Sequence, residues 1–136
     1  LILYKSDHGY HFRPRNGEYK RACHDGCTRI PLIACGPGFT GGKVINELVS
    51  LIDVPPTLLA AGGIQTPESM QGRPLQGLVD GTAKNWPEEV FIQISESQVG
   101  RAIRTKRWKY SVRAPERQGN RDSGSDAYAE DFLCTF

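Results

Sequence analysis

No apolar run in this chain approaches the roughly 18 residues needed to cross a bilayer, which excludes a membrane-spanning helix. Neither sign of charge dominates. Seventeen Lys and Arg against 15 Asp and Glu leave a net charge of +2, too little for the global field that gathers nucleic acid, although RAIRTKRWKYSVR (101–113) concentrates much of the positive charge. No basic region, apolar core and cleavage site of a secretory signal stand at the start. The first residues read directly as strand, so the sequence is expected to begin inside a fold, with any export signal upstream. No internal repeat is evident. The four cysteines, Cys23, Cys27, Cys35 and Cys134, follow no framework spacing and leave the redox compartment open.

What is present suits a single soluble core. The chain has 136 residues, 38% apolar and 24% charged, and a chain of that size buries roughly two thirds of its unfolded surface. LILYKS reads as a short buried strand whose carboxyl end delivers Asp7 and His8 into a long polar loop over 9–28, with a short helix near EYKRACH. RIPLIAC (29–35) is the next strand, closed by the breakers GPGFTGG. The spacing of Val44, Ile45, Leu48, Val49, Leu51 and Ile52 predicts a helix, interrupted at Pro55-Pro56, restarted near Thr57 and ended at Gly62-Gly63. Residues 66–87 read as surface connection. EVFIQISES and RAIRTKRWKYSVR then alternate with period two, predicting two or three antiparallel strands. The segment 114–131 is polar and turn-rich, and reads as mobile.

Three motifs carry possible chemistry. Gly36-Pro37-Gly38-Phe39-Thr40-Gly41 satisfies the spacing of a dinucleotide loop between strand and helix, but the acidic residue expected at the end of a second strand is missing, and Asp53 lies in or beside the helix. A phosphate loop fails too, because Pro37 stands where its first Gly would fall and Val44 replaces the magnesium-binding hydroxyl. A plain turn is the better reading. Cys23, His24, Cys27 and Cys35, with His8 and His11 near in sequence, offer zinc donors without the repeated close pairing of structural zinc sites. Buried free thiols are expected instead, most clearly Cys35. Asp7-His8-Gly9 alone is an ordinary turn, with Gly9 at positive φ. At the carboxyl end of a strand in an α/β sheet, however, ligands are bound, and an Asp oxygen beside a His nitrogen can complete a divalent site whose other donors come from elsewhere.

The order SDHGYHF, then NGEYKRACHDGCTRIPLIACGPGF, then VSLIDVPPTLLAAGGI and MQGRPLQGL, resembles the C-terminal portion of a sulfatase of the alkaline-phosphatase superfamily. In that family a strand is followed by Asp and then Asn or His, later by a Lys five residues before an acidic residue and Gly, then by basic-aliphatic-Pro and a strand ending in Pro-Gly. Here these positions are Asp7 and His8, Lys20 before Asp25-Gly26, Arg29-Ile30-Pro31 and Pro37-Gly38. The match spans most of residues 1 to about 113. It departs from the family near the end, where FLCTF places Cys134 at a usual Tyr.

The resemblance implies an α/β fold: the C-terminal part of an alkaline-phosphatase-like sandwich (1–83), followed by a small antiparallel β subdomain (84–136). It implies Asp7 and His8 as ligands of a catalytic calcium and Lys20 as a catalytic residue contacting the sulfate oxygens. His11, Arg13 and Arg15, in the same loop, are further candidates for substrate contact. The nucleophile of the family is a formylglycine made within a Cys/Ser-x-Pro-x-Arg motif. No such motif occurs in these 136 residues, so formylglycine is expected upstream and the chain alone is expected to be inactive, with an exposed sheet edge prone to association. The implied partner is a sulfated small molecule or glycan, with no nucleic acid and no membrane. Oligomeric state is not read from the sequence. The family favours a periplasmic or secreted location. A phosphoric or phosphonic ester hydrolase of the same superfamily and a non-catalytic binding module are the alternatives.

Overall fold

The computed structural model describes residues 1–10, 19–96 and 98–136. Along the chain lie β1 (Ile2–Lys5), α1 (Asp25–Thr28), β2 (Leu32–Cys35), a 3-10 turn (Leu51–Asp53), α2 (Val54–Ala61), α3 (Gln76–Asp80), β3 (Glu89–Ile94), β4 (Gly100–Thr105), β5 (Trp108–Arg113) and β6 (Ala129–Thr135). β1 and β2 form a two-stranded sheet, and β3-β4-β5-β6 a four-stranded antiparallel one. Contacts divide the chain into two units, one of residues 1–4 and 32–88, the other of residues 5–31 and 89–136. The described residues that follow β1, 6–10 and 19–31, thus group with the C-terminal strands.

In the first unit the expected helix over 44–52 is absent. Residues 44–50 are irregular and Val44 is 83% exposed. The Leu48 carbonyl is tied elsewhere, accepting the Trp86 indole N–H at 2.8 Å, and the side chain of the preceding Lys43 donates its Nζ to the Val79 carbonyl at 2.6 Å. Helix α2 begins at Val54, so Pro55 and Pro56 start the helix instead of interrupting it. The first-turn amides of a helix have no intrahelical acceptor, and proline loses nothing there. Gly62 ends α2 as expected.

Asp53 organises the surroundings of α2. Its carboxylate accepts the Ser50 N–H at 2.8 Å, in a reciprocal capping box, and the Arg73 N–H at 2.9 Å. Thr57, fully buried, donates its hydroxyl to the Asp53 carbonyl at 2.6 Å and accepts the Leu75 N–H at 3.0 Å. The stretch read as surface connection is thus partly interior: Leu75 is buried, and a short helix, α3, follows it. The glycine run after β2 is a turn, with Gly36, Gly38, Gly41 and Gly42 at positive φ and a bridge between Gly36 and Phe39. No helix opens immediately after it, which removes the helix N-terminus a dinucleotide loop requires.

The second unit is built on the four-stranded sheet. Period two holds through β3, β4 and β5, and β6 extends the sheet, so FLCT is part of its fourth strand and the turn-rich stretch stops at Tyr128. One face carries the cross-strand row Phe91, Ile103, Tyr110 and Leu133, each between 43% and 60% exposed. The opposite face carries Ala102, Lys109 and Ser111, all buried, and receives the segment 21–28. His24 stacks on Phe132 with ring centroids 4.2 Å apart, and Cys23 lies against Ser111, a contact that opposes the upward push of burial on its thiol. All four cysteines are free thiols. Cys23 and Cys27 are the buried ones, whereas Cys35 is exposed, contrary to expectation, because its side chain falls on the uncovered side of β2.

Candidate active site

Asp7 and His8 follow β1 and begin a tight turn. The His8 N–H donates to Asp7 Oδ1 at 3.0 Å, and the Ser6 hydroxyl donates to the His8 carbonyl at 2.6 Å. Gly9 closes the turn through close approach, not through positive φ. Its N–H donates to the Cys27 carbonyl at 2.7 Å, and a Cβ on it would stand 2.0 Å from the Gly26 carbonyl oxygen. Only glycine lets this loop lie directly on α1.

The donors that result face outward. Asp7 is 81% exposed in its side chain and His8 38%. His8 Nδ1 lies 2.8 Å from the Gly9 carbonyl oxygen. That oxygen can only accept, so Nδ1 carries the proton and in the neutral ring the Nε2 lone pair is left for a metal. Nε2 stands 3.7 Å from Asp7 Oδ1, too far for a hydrogen bond. Two donors in neighbouring positions around one calcium, each at 2.3–2.6 Å, lie about 3.3–3.7 Å apart. The pair thus fits one ion, with the carboxylate the better match for a hard cation and the imidazole the softer one.

The Asp7 carboxyl is held below the usual carboxylate range, chiefly by a hydrogen bond from its own backbone N–H. Burial pushes weakly the other way, while the charges of His8 and Lys20 add to the lowering. Asp7 therefore remains an anion at neutral pH. The same effect puts Lys20 in its electrostatic neighbourhood, and the Lys20 side chain is exposed. The structure pairs Asp7 with His8, and Lys20 bears on Asp7 only through the weakest of these influences. His11, Arg13 and Arg15 lie outside the described residues.

Two donors cannot hold calcium, which takes six to eight. Among the described residues no group of three His, Cys, Asp or Glu side chains is placed to share an ion. The Cys35-Gly36-Pro37 run begins like the formylglycine motif, but Phe39 stands where that motif has Arg.

What the sequence reading missed lies behind these side chains. Lys109, 1% exposed in its side chain, donates to Asp25 Oδ1 at 2.8 Å and to Thr28 Oγ1 at 2.7 Å. Alternation along β5 carries the signal, since Lys109 falls on the face of Ser111 and opposite Trp108 and Tyr110. Tyr19 and Tyr10 pack with ring centroids 5.6 Å apart, and Tyr19 holds a left-handed backbone at φ 52°.

Residues 16–115 match the N-sulphoglucosamine sulphohydrolase C-terminal family. The chain belongs to the sulfatases. It is 32% identical over 142 residues to the extracellular sulfatase SULF-1 homolog of Drosophila melanogaster, covering 97% of this sulfatase chain and 12% of that protein. It is 30% identical over 120 residues to arylsulfatase K of Homo sapiens, covering 81% of this chain and 22% of that protein. Among solved structures, that of BT4656 in complex with its substrate D-glucosamine-2-N,6-O-disulfate aligns with a TM-score of 0.68 and 25% identity, covering 86% of this chain and 26% of that one. The sulfatase chain therefore spans only a minor share of these relatives' lengths. The likeness establishes the expected fold class, the C-terminal part of an alkaline-phosphatase-like α/β sandwich followed by a small antiparallel β subdomain. No helix among the described residues is long and apolar enough to cross a membrane.

Proposed function

We propose that these residues form part of a sulfuric ester hydrolase acting on a sulfated carbohydrate, with Asp7 and His8 ligating calcium and Lys20 contacting the sulfate. The observation that carries this reading is the 3.7 Å separation of Asp7 Oδ1 from His8 Nε2 in a sulfatase chain. Calcium, when bound, would stabilise negative charge on the sulfuryl oxygens. Asp7 presents its charge without needing to lose a proton near neutral pH, and the Nδ1–H bond to Gly9 fixes the imidazole so that Nε2 points away from the backbone. Lys20 supplies a point charge with three donors, suited to sulfate oxygens whose charge grows as the ester bond lengthens. His11, Arg13 and Arg15 are proposed to meet the rest of an anionic sugar. The remaining calcium ligands and the formylglycine nucleophile would come from other parts of the full-length protein. A carbohydrate substrate is supported by the sulfated glucosamine bound to BT4656, and export to the periplasm or outside the cell by the extracellular relative.

The test is hydrolysis of matched sulfate and phosphate esters of glucosamine by the full-length protein. Sulfate ester hydrolysis is expected to dominate. Dominant phosphatase activity would overturn the substrate class, and no turnover of either ester would favour a binding module. Lys20→Ala is expected to lower kcat/KM by about 10²–10³-fold with calcium content unchanged. Unchanged turnover would remove Lys20 from the site.

A further inference from the structure

Helix α1 touches both arms of the candidate site through a single residue. The Cys27 carbonyl accepts the Gly9 N–H at 2.7 Å, one residue beyond the His8 donor. The Cys27 thiol donates to the Tyr19 carbonyl at 3.1 Å, one residue before Lys20. A helix of one turn does not hold itself in place, because its nucleus closes few hydrogen bonds for the dihedrals it fixes. Beside the stacking of His24 on Phe132, Lys109 ties both ends of α1 to the sheet. Its buried ammonium bonds Asp25 at the first position of the helix and Thr28 at the last.

We infer that Lys109 is a positioning residue for the metal and sulfate contacts, acting through α1. A buried ammonium is costly unless it is paired, so the cluster has few alternative arrangements. Asp25 answers its charge and Thr28 adds an acceptor. The route from Lys109 runs through α1 to Cys27, and from there to Gly9 on one side and Tyr19 on the other. All of these residues lie within the second unit. Loss of the ammonium releases α1 from β5 and lets the Asp7-His8 pair and Lys20 drift independently. This inference rests on the calcium reading above.

The experiment uses the full-length protein carrying these residues, with terbium(III) luminescence as the probe of the calcium site. Lys109→Met keeps the length of the side chain and removes its charge. It is expected to weaken terbium binding about tenfold, the lower end of what supporting residues behind metal ligands contribute. The calcium concentration for half-maximal activity rises in parallel, and activity recovers at saturating calcium. Hydrogen exchange at the Gly9 amide quickens, while the ladder between Ile92 and Ala102 stays protected. Lys106→Met, which removes an exposed cation from the same hairpin, changes none of these. A folded Lys109→Met protein with wild-type terbium affinity would overturn the role of Lys109. If Lys109→Met does not fold, Thr28→Val, which removes the Lys109 acceptor and a hydroxyl bond to the His24 carbonyl but leaves Asp25 on the ammonium, decides. Weaker terbium binding and faster Gly9 exchange support the inference, and no change in either overturns it. Wild-type protein that binds neither terbium nor calcium would overturn the calcium reading itself, a separate result from wild-type binding that Lys109→Met leaves intact.

Discussion

In the unit of residues 1–4 and 32–88, the Asp53 carboxylate has both oxygens occupied by backbone amides, from Ser50 and Arg73, and the residue is 7% exposed. In the other unit, Asp7 carries the same group to the surface, bonded among the described residues only to amides of its own turn. Asp53 completes the capping of a helical start and draws a distant segment against it, so its polar capacity is consumed in making structure. Asp7 retains an accessible anion, and the order it needs is provided from behind by Gly9, α1 and Lys109. The difference separates polar groups that hold a fold from those available to a ligand: satisfaction inside the protein marks the first, and supported exposure the second.

That contrast breaks most sharply under Gly72→Ala. A Cβ there would stand 1.9 Å from the Ile52 carbonyl oxygen, and forcing the backbones apart is expected to cost about 3 kcal/mol and lower Tm by several degrees. A Tm equal to wild type would show that the Asp53 region is looser than its hydrogen bonds imply. Asp53→Ala leaves the Ser50 and Arg73 amides without the carboxylate that accepts them. About 2 kcal/mol of lost stability is expected in denaturant titrations, and a loss no greater than that of a surface substitution would erase the distinction between the two aspartates. The smallest effect on folding is expected from Asp7→Asn, which should lower Tm at neutral pH only slightly while abolishing metal binding. The folded pKa of Asp7 lies below its unfolded value. Whatever stability the carboxylate contributes is therefore present above the ordinary carboxylate range and fades as pH falls through the lowered value. Asp7→Asn should flatten that acid limb, its small deficit at neutral pH closing as pH falls, and a neutral-pH loss as large as that of Asp53→Ala would place Asp7 among the structural groups.

The antiparallel sheet was legible in the sequence because strands with one buried face write their pattern directly. Lys109 obeys that same pattern, but charge disguised it: a lysine among RTKRWKY reads as a solvated cation until the side of the sheet it occupies is counted. β6 was harder. Phe132 and Leu133 are adjacent and do not alternate with polar residues, and a register shift between Ser111 and Val112 carries the pairing from Phe132 to Glu130, past Asp131. Residues 44–50 mimic a helix in their apolar spacing, yet the Leu48 carbonyl accepts the indole N–H of Trp86 from far along the chain, which no local period encodes. Asp7, His8 and Lys20 stood out through the order of motifs around them. The dual contact of Cys27 did not, because it depends on the proximity of three segments and not on any spacing.

The positions of Gly9 and Tyr19 on Cys27 have a consequence for how such a chain diversifies. Gly9 and Tyr19 meet on one residue, with Tyr10 packed against Tyr19. Closing a longer flexible loop costs only roughly 0.6 kcal/mol for each doubling of its length. Insertions between these two anchors are therefore expected to leave the contacts of Cys27 with Gly9 and Tyr19 in place.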